Sequence, residues 1–246
     1  MIERQARTPR LFVGAELRPH ASLELPEAAA HHAARVLRLR EGDAVVLFDG
    51  RGGEYDALLS MPGGVNRDRV LAETRERRDV ERESPLAVTL VQAISTSDKM
   101  DFTIQKAVEL GAVAIHPVVS AKSVVRLSGE REAKKLAHWR RIAIAACEQC
   151  GRNRIPEIRE PVALDRYTAP AGMKILLSPS GTGRLADLAK GPLAVAAGPE
   201  AGFSGEEEKQ LLRAGFSAVR LGPRILRTET AALAALAALN ALAGDF

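Results

Sequence analysis

The stretches of this sequence best suited to chemistry are three loops of glycine, proline and short polar residues, each placed directly after an apolar run. Ser178-Pro179-Ser180-Gly181 follows KILL, and Gly198-Pro199-Glu200-Ala201-Gly202 follows LAVAA. The third, Leu221-Gly222-Pro223-Arg224-Ile225-Leu226-Arg227-Thr228-Glu229-Thr230, follows SAVR and runs straight into the last predicted helix. Glycine lets backbone approach a ligand closely, and proline stiffens the loop around it. The N–H and C=O groups of such loops can read an adenine edge or a carboxylate without any charged side chain. Thr228 stands where the N-cap of the last helix is expected.

Other familiar chemistries lack their motifs. There is no G-x-G-x-x-G after a strand and no G-x-x-x-x-G-K-[ST], so dinucleotide and nucleoside-triphosphate readings lose their best support. The five histidines, His20, His31, His32, His116 and His138, form no pair with a cysteine or carboxylate at ligand spacing, and no bound metal is expected. Cys147 and Cys150 fall at i, i+3 on a predicted helix. A redox or zinc half-site would need a second pair, and small core residues are the favoured reading. Two cysteines give no disulfide framework, so a cytoplasmic location is the simplest expectation.

The elements that must position these loops follow from periodicity. In the first third, Glu27 to Leu39 has helical spacing, and AVVLFDG and EYDALL flank Arg51-Gly52-Gly53 as a hairpin, with a further strand expected over Arg69 to Thr74. Short strands of this kind close into small barrels, either as nucleic-acid-binding modules or as passive appendages. The charged run from Arg75 to Pro85 is the candidate linker. Beyond it, LAVTLVQAI reads as a strand covered on both faces, Asp98 to Gly111 as a helix, AVAIHPVV as a strand, and Arg131 to Cys150 as a long amphipathic helix. Ser204 and Glu207 form a capping box opening a helix that runs to Gly215. Strands alternating with helices predict an α/β domain with a parallel sheet over residues 84–246. The last helix, TETAALAALAALNALAG, is apolar nearly all round and must be covered by its own sheet or by a second subunit.

Composition narrows the class. Hydrophobic residues make up 46% and charged residues 27%, which excludes a disordered or fibrous chain. No apolar stretch reaches bilayer-spanning length, and MIERQARTPR has no apolar core to read as a secretory signal. The formal net charge of +4 is regional: residues 1–83 hold 14 basic and 15 acidic groups, while Lys122 to Arg159 holds ten basic groups against four acidic ones. Such a run is either a solvated helix face or the footprint of a polyanion.

Four long motifs carry a resemblance. KMDFTIQKAVELG (Lys99 to Gly111), IAACEQCGRNRIPEI (Ile144 to Ile158), GPEAGFSGEE (Gly198 to Glu207) and LGPRILRTETA (Leu221 to Ala231) together resemble the RsmE family of 16S ribosomal RNA (uracil-N3) methyltransferases in the SPOUT superfamily. Pro9 to Phe12, His32 to Arg38 and the LFDG run extend the likeness over essentially the whole chain. One departure is Ala201, where the family's loop reads G-P-E-G-G; alanine suits that position if its φ is negative.

The resemblance implies a PUA-like β-barrel RNA-binding domain over residues 1–80 and a SPOUT methyltransferase domain over 84–246, its C-terminal end threaded into a trefoil knot. It implies S-adenosylmethionine as cofactor, held by Leu177, Ser178, Gly198, Pro199, Glu200, Gly202, Leu221, Gly222, Ile225, Leu226, Arg227 and Thr228. It further implies a homodimer acting on 16S rRNA or the small ribosomal subunit. Within that frame Arg227 is expected to stabilise negative charge on the uracil, and Glu229 to orient it or accept the N3 proton, with a structural ion pair or cap as the alternative for Glu229. RNA backbone contacts are expected from Arg10, Arg35, Arg38, Lys99, Arg126, Arg152 and Arg154. The competing readings are a non-catalytic RNA-binding protein and a ribose 2′-O-methyltransferase of the same superfamily.

Overall fold

The computed structural model describes residues 8–61, 69–123 and 129–246, and the chain divides into two compact units, Met1–Glu83 with Cys147–Ile155 and Ser84–Ala146 with Pro156–Phe246. Among the described residues, no helix is long and apolar enough to cross a membrane.

The first unit is built on a five-stranded curled sheet. Its elements are β1 (Arg10–Phe12), β2 (Ser22–Glu24), α1 (Glu27–His31), β3 (Ala44–Phe48), β4 (Glu54–Ser60) and β5 (Leu71–Arg78). The strand order is β1-β3-β4-β5-β2, with β1 parallel to β3 and the remaining pairs antiparallel. Period-2 alternation along β3, β4 and β5 turns Val45, Leu47, Ala57, Leu59 and Ala72 onto one face. Ala29, Ala30, Ala33 and Ala34 pack against it.

Two local expectations are corrected here. The helix predicted over Glu27–Leu39 is α1 followed by a π-helical turn, His32–Val36, in which the Leu37 N–H donates to the His32 carbonyl at 2.9 Å. Ala33 and Ala34 stay buried while Arg35 and Val36 face outward, and Arg38 ends the segment in the left-handed region at φ 57°. The run from Arg75, read as a linker, continues β5 to Arg78. Arg77 and Arg78 lie opposite Tyr55 and Glu54, and Arg78 bonds Glu54 at 2.8 Å and Asp56 at 2.9 Å. Cross-strand carboxylates thus convert a charge run into strand.

Glu54 centres a buried ionic cluster within this unit. Its carboxylate accepts from Arg10, from Arg82 Nη1 at 3.2 Å and from Asn153 Nδ2 at 3.3 Å. Arg10 also donates to Asn153 Oδ1, Arg82 donates to the Gly151 carbonyl at 2.9 Å, and Arg152 Nε bonds both Glu83 oxygens at 3.1 Å.

The second unit is a parallel α/β sheet. It comprises β6 (Val88–Ala93), α2 (Ser97–Glu109), β7 (Ala114–Val119), the part of α3 (Glu130–Cys150) up to Ala146, β8 (Glu157–Ile158), β9 (Val162–Ala163) and β10 (Met173–Leu177). It continues with α4 (Leu185–Leu188), β11 (Leu193–Ala197), α5 (Gly205–Arg213), β12 (Ser217–Val219) and α6 (Thr228–Ala243). Strands run in the order β12-β10-β11-β6-β7-β8, all pairs parallel, with β9 joining β7 further along. Every residue of β6 and β11 is buried, as a sheet with both faces covered requires. The apolar α6 packs on α2, α4, β6 and β11, burying Ala232, Ala235, Leu236 and Leu239.

Candidate cofactor site

The sheet order makes neighbours of the carboxyl ends of β10, β11 and β12, since β10 pairs with both of the others. The three loops singled out by composition leave from those ends, where ligands of open α/β sheets bind. They enclose a cavity of about 280 Å³, near the lower end of small-ligand clefts (roughly 300–1,000 Å³). Leu177, Ser178 and Pro179 line it from the first loop, Gly198 to Phe203 from the second, and Leu221, Arg224, Ile225, Leu226 and Thr228 from the third.

Each wall is fixed by identifiable bonds. The Ser178 N–H donates to the Val219 carbonyl at 3.0 Å, and its hydroxyl donates to Glu208 Oε1 at 3.0 Å. The first loop then passes so close to β12 that a Cβ at Gly181 would lie 2.6 Å from the Val219 backbone nitrogen and carbonyl carbon. Gly181→Ala is therefore expected to push the loop off β12, costing about 1–3 kcal/mol by overpacking and weakening cofactor binding about tenfold. Calorimetric titration beside a thermal melt checks this; unchanged affinity would show that the crossing does not shape the cavity.

The second loop is cradled from below and from one side. A Cβ at Gly198 would meet the Phe203 nitrogen at 2.9 Å, and Gly202 sits at φ 67°. Ala201 is outside the left-handed region, so alanine adds no backbone strain there. Glu200 accepts from the Thr96 N–H and hydroxyl at 3.1 Å and pairs with Lys99 at 3.3 Å. Burial alone would raise its carboxyl pKa, but the Thr96 and Lys99 bonds outweigh that and hold it below the usual value. Glu207 closes the capping box with Ser204 and also accepts from Ser120 and Ala121, tying the loop after β7 to the start of α5.

The third loop departs from expectation at Thr228. The N-cap of α6 is Arg227, and Thr228 is the first helical residue. Its hydroxyl donates to the Gly198 carbonyl and accepts from Gln92 Nε2 at 3.1 Å. The threonine is drawn inward because its hydroxyl serves a strand-end acceptor and a strand-end donor at once, so it stitches β6, the second loop and α6 together instead of capping.

Of the predicted cofactor residues, the cavity gathers Leu177, Ser178, Gly198, Pro199, Glu200, Gly202, Leu221, Ile225, Leu226 and Thr228. Gly222 (φ 75°) and Arg227 stand in the same loop outside the lining, both exposed. Beside Thr228, Glu229 is half-buried, and its Oε2 is a buried oxygen with no hydrogen-bond partner among the described residues. Sequence reasoning missed Phe203, Glu208, Arg220 and Ala231 in the lining, and Gln92 behind it. Glu208 reads in sequence as an ordinary first-turn acid of α5, and only its bond to Ser178 reveals its place.

The predicted RNA contacts divide. Arg35, Arg38 and Arg154 are exposed in the first unit, Arg154 Nε lying 3.3 Å from Glu81. Arg10 and Arg152 are corrected: at 8% and 3% exposure they are spent on Glu54 and Glu83 and present no guanidinium to a phosphate. Lys99 is committed to Glu200, and Arg126 lies outside the described residues. Cys147 is buried, its thiol pushed up to about 12 by that burial, as befits a core residue.

Comparisons with known proteins fix the class. Residues 82–240 match the RNA methyltransferase domain family, and residues 25–64 match the RNA methyltransferase PUA domain. A Legionella pneumophila protein solved with the cofactor SAM is 40% identical, with a TM-score of 0.93 over 98% of this chain and 100% of that one. The ribosomal RNA small subunit methyltransferase E of Neisseria gonorrhoeae, solved bound to S-adenosyl methionine, is 41% identical, with a TM-score of 0.88 over 97% and 99% of the two chains. The protein of the same name from Buchnera aphidicola (subspecies Schizaphis graminum) is 34% identical, over 97% of this chain and 98% of its own. The chain belongs to the ribosomal RNA small subunit methyltransferase E family.

Proposed function

We propose that this chain transfers a methyl group from S-adenosylmethionine to N3 of a uridine in 16S rRNA of the small ribosomal subunit. The observation that carries this reading is the gathering of three separate strand-end loops into one cavity, in a chain 41% identical to a relative solved with that cofactor. The cavity suits the group. Its walls are mostly backbone and aliphatic side chains, and the missing Cβ of Gly198 lets the backbone of Gly202 and Phe203 fold tightly against it, which shapes the second loop around the cavity. Leu177, Gly198, Leu221, Ile225 and Leu226 would hold the adenosine by apolar contact and backbone hydrogen bonds, with Glu200, Glu208, Arg220 and Arg224 as the charged groups at hand. When bound, the cofactor supplies a methyl already activated by the positive sulfur.

The chain's own task is to place a uracil in line, stabilise the charge left when N3 loses its proton, and accept that proton. Arg227 at the head of α6 stabilises the uracil oxygens, and the partnerless Oε2 of Glu229 is the candidate acceptor. Residues 1–80 serve as the PUA-like RNA-binding domain and 84–246 as the SPOUT methyltransferase domain, with Arg35, Arg38 and Arg154 as RNA backbone contacts. The crossing of Ser178–Gly183 over β12 supports a trefoil knot, and Ile225 (84% exposed) and Leu242 (50% exposed) support a homodimer. The site of action is the cytoplasm.

Nucleoside analysis of small-subunit RNA treated with the protein and S-adenosylmethionine tests the reading. 3-Methyluridine is the expected product. A ribose-methylated product would move the assignment to the 2′-O class, and absence of saturable cofactor binding at millimolar concentration would leave a non-catalytic RNA-binding protein.

A further inference from the structure

A second cavity, of about 520 Å³, opens where β7 changes partners. β7 pairs with β8 at Ala114 and Ile115 and with β9 at Val118 and Val119, so that edge gives His116 and Pro117 no ladder partner among the described pairings. The cavity sits over this gap. His116, buried to 2% exposure, and Tyr167 form its floor, with the ring Nδ1 and phenol oxygen 2.9 Å apart. Arg140 from α3, Arg159 after β8 and Arg166 from the 3₁₀ turn Leu164–Arg166 line it from three directions. Glu157 neutralises Arg159 at 3.2 Å, and Glu160 is the other acid in the lining. In the strand order, β6 lies between β7 and β11, the nearest strand whose loop lines the cofactor cavity, and the two cavities share no lining residue, so this one is distinct.

We propose that this cavity is a phosphate site that takes a backbone phosphate of the RNA substrate, away from the methylated base. The inference rests on the RNA-substrate reading above. Guanidinium forks match phosphate oxygens two at a time, while the Tyr167 hydroxyl at the floor is held by His116 Nδ1. Burial, then the charge of Arg159, holds His116 down at about 4, so the floor stays uncharged at neutral pH and the attraction resides in the arginines. Arg140, Arg159 and Arg166 are all exposed, so the opening faces solvent. That suits one phosphate of a long chain better than an enclosed small anion.

The test compares Arg140→Gln/Arg166→Gln with a control that removes equal charge from exposed residues elsewhere, Lys190→Gln/Arg213→Gln. Affinity for small-subunit RNA is measured across a salt series. The cavity variant should bind RNA about tenfold more weakly, with the log–log salt slope shallower by about 0.7–0.9. Cofactor affinity should be unchanged. Glu157→Gln/Glu160→Gln should tighten RNA binding, which no loss of folding would do. Equal effects from the cavity and control pairs, or an unchanged slope, overturn the proposal. So does a site at which wild type, but not the cavity variant, binds inorganic phosphate while RNA affinity is identical in both, because the ligand would then be a free anion. Methylation by the wild type, scored separately, shows whether the underlying RNA reading or only this site has failed.

Discussion

Glu54→Ala is expected to destabilise the first unit by about 3–5 kcal/mol, the cost of breaking a buried ion pair from one side. The Glu54 side chain is 1% exposed and faces three guanidiniums, those of Arg10, Arg78 and Arg82. Arg10, itself 6% exposed at the side chain, would keep its charge and lose its counterion. Removing both partners, as in Arg10→Met/Glu54→Leu, should cost less than Glu54→Ala alone, because no unpaired charge stays buried. Hydrogen exchange of the β4 and β5 amides, together with denaturant unfolding, checks both statements. Protection unchanged in the single variant would mean the cluster is not what holds Asn153 and β5 to the sheet. The pH dependence has a definite sign. Burial would raise the Glu54 carboxyl pKa, but hydrogen bonds from Arg10 and Arg82 and their charges outweigh it and leave the folded pKa below the ordinary 4.5. The stabilisation is therefore complete above about pH 4.5 and is lost as pH falls through the depressed folded value. The gap between wild type and Glu54→Gln should narrow in acid and stay constant at neutral pH.

That cluster also shows what sequence could not reveal. The strands of the second unit were legible because a fully buried parallel strand is apolar throughout, as in LAVTLVQAI and LAVAA, and the Ser204–Glu207 box announced α5 by local chemistry alone. The strand character of Arg75–Arg78 was hidden because its partners, Tyr55 and Glu54, lie some twenty residues away. Arg10 and Arg152 read as solvent-facing for the same reason: a guanidinium becomes structural only when a distant carboxylate, Glu54 or Glu83, is folded against it. Among the described residues, the basic groups of Lys122–Arg159 are accordingly no single patch. Arg152 is buried, Lys122 donates to the Ala201 and Phe203 carbonyls, and Arg140 and Arg159 line the cavity beside β7.

The three loops that line the cavity were legible for a different reason. Glycine and proline at a strand end have few structural uses, so Gly198-Pro199 and Leu221-Gly222-Pro223 marked themselves. What composition could not supply was their convergence, which depends on β12 lying outside β10 and not beside β11. Thr228 lines the cavity, but not through the capping role that its place in the sequence suggests. Its hydroxyl serves Gly198 and Gln92, and the cap position falls to Arg227, with φ −67° and ψ 157°.

That shift by one residue sharpens the catalytic prediction. As N-cap, Arg227 has an extended backbone that leaves its exposed side chain outside the helix, while its neighbours Leu226 and Thr228 line the cavity. A uracil presented to a methyl donor in that cavity would therefore lie against Arg227. Loss of the N3 proton spreads negative charge onto the two flanking carbonyl oxygens, and a fixed cation there counts for more in the transition state than in the ground state. Arg227→Ala is expected to lower kcat by about 10²- to 10³-fold, the scale for removing one oxyanion donor. Cofactor affinity should stay within about twofold, because the apolar lining is untouched. Arg227→Lys should recover part of the rate, since it restores the charge but not the fork. Glu229→Gln should also depress kcat with cofactor binding intact if its partnerless oxygen takes the proton, whereas a purely structural Glu229 would lower stability and leave kcat alone. Single-turnover methyl transfer at saturating RNA, set beside calorimetry with the cofactor, separates these outcomes. Equal turnover by Arg227→Ala and the wild type would remove the arginine from the reaction, and a parallel collapse of cofactor affinity would reassign it to binding.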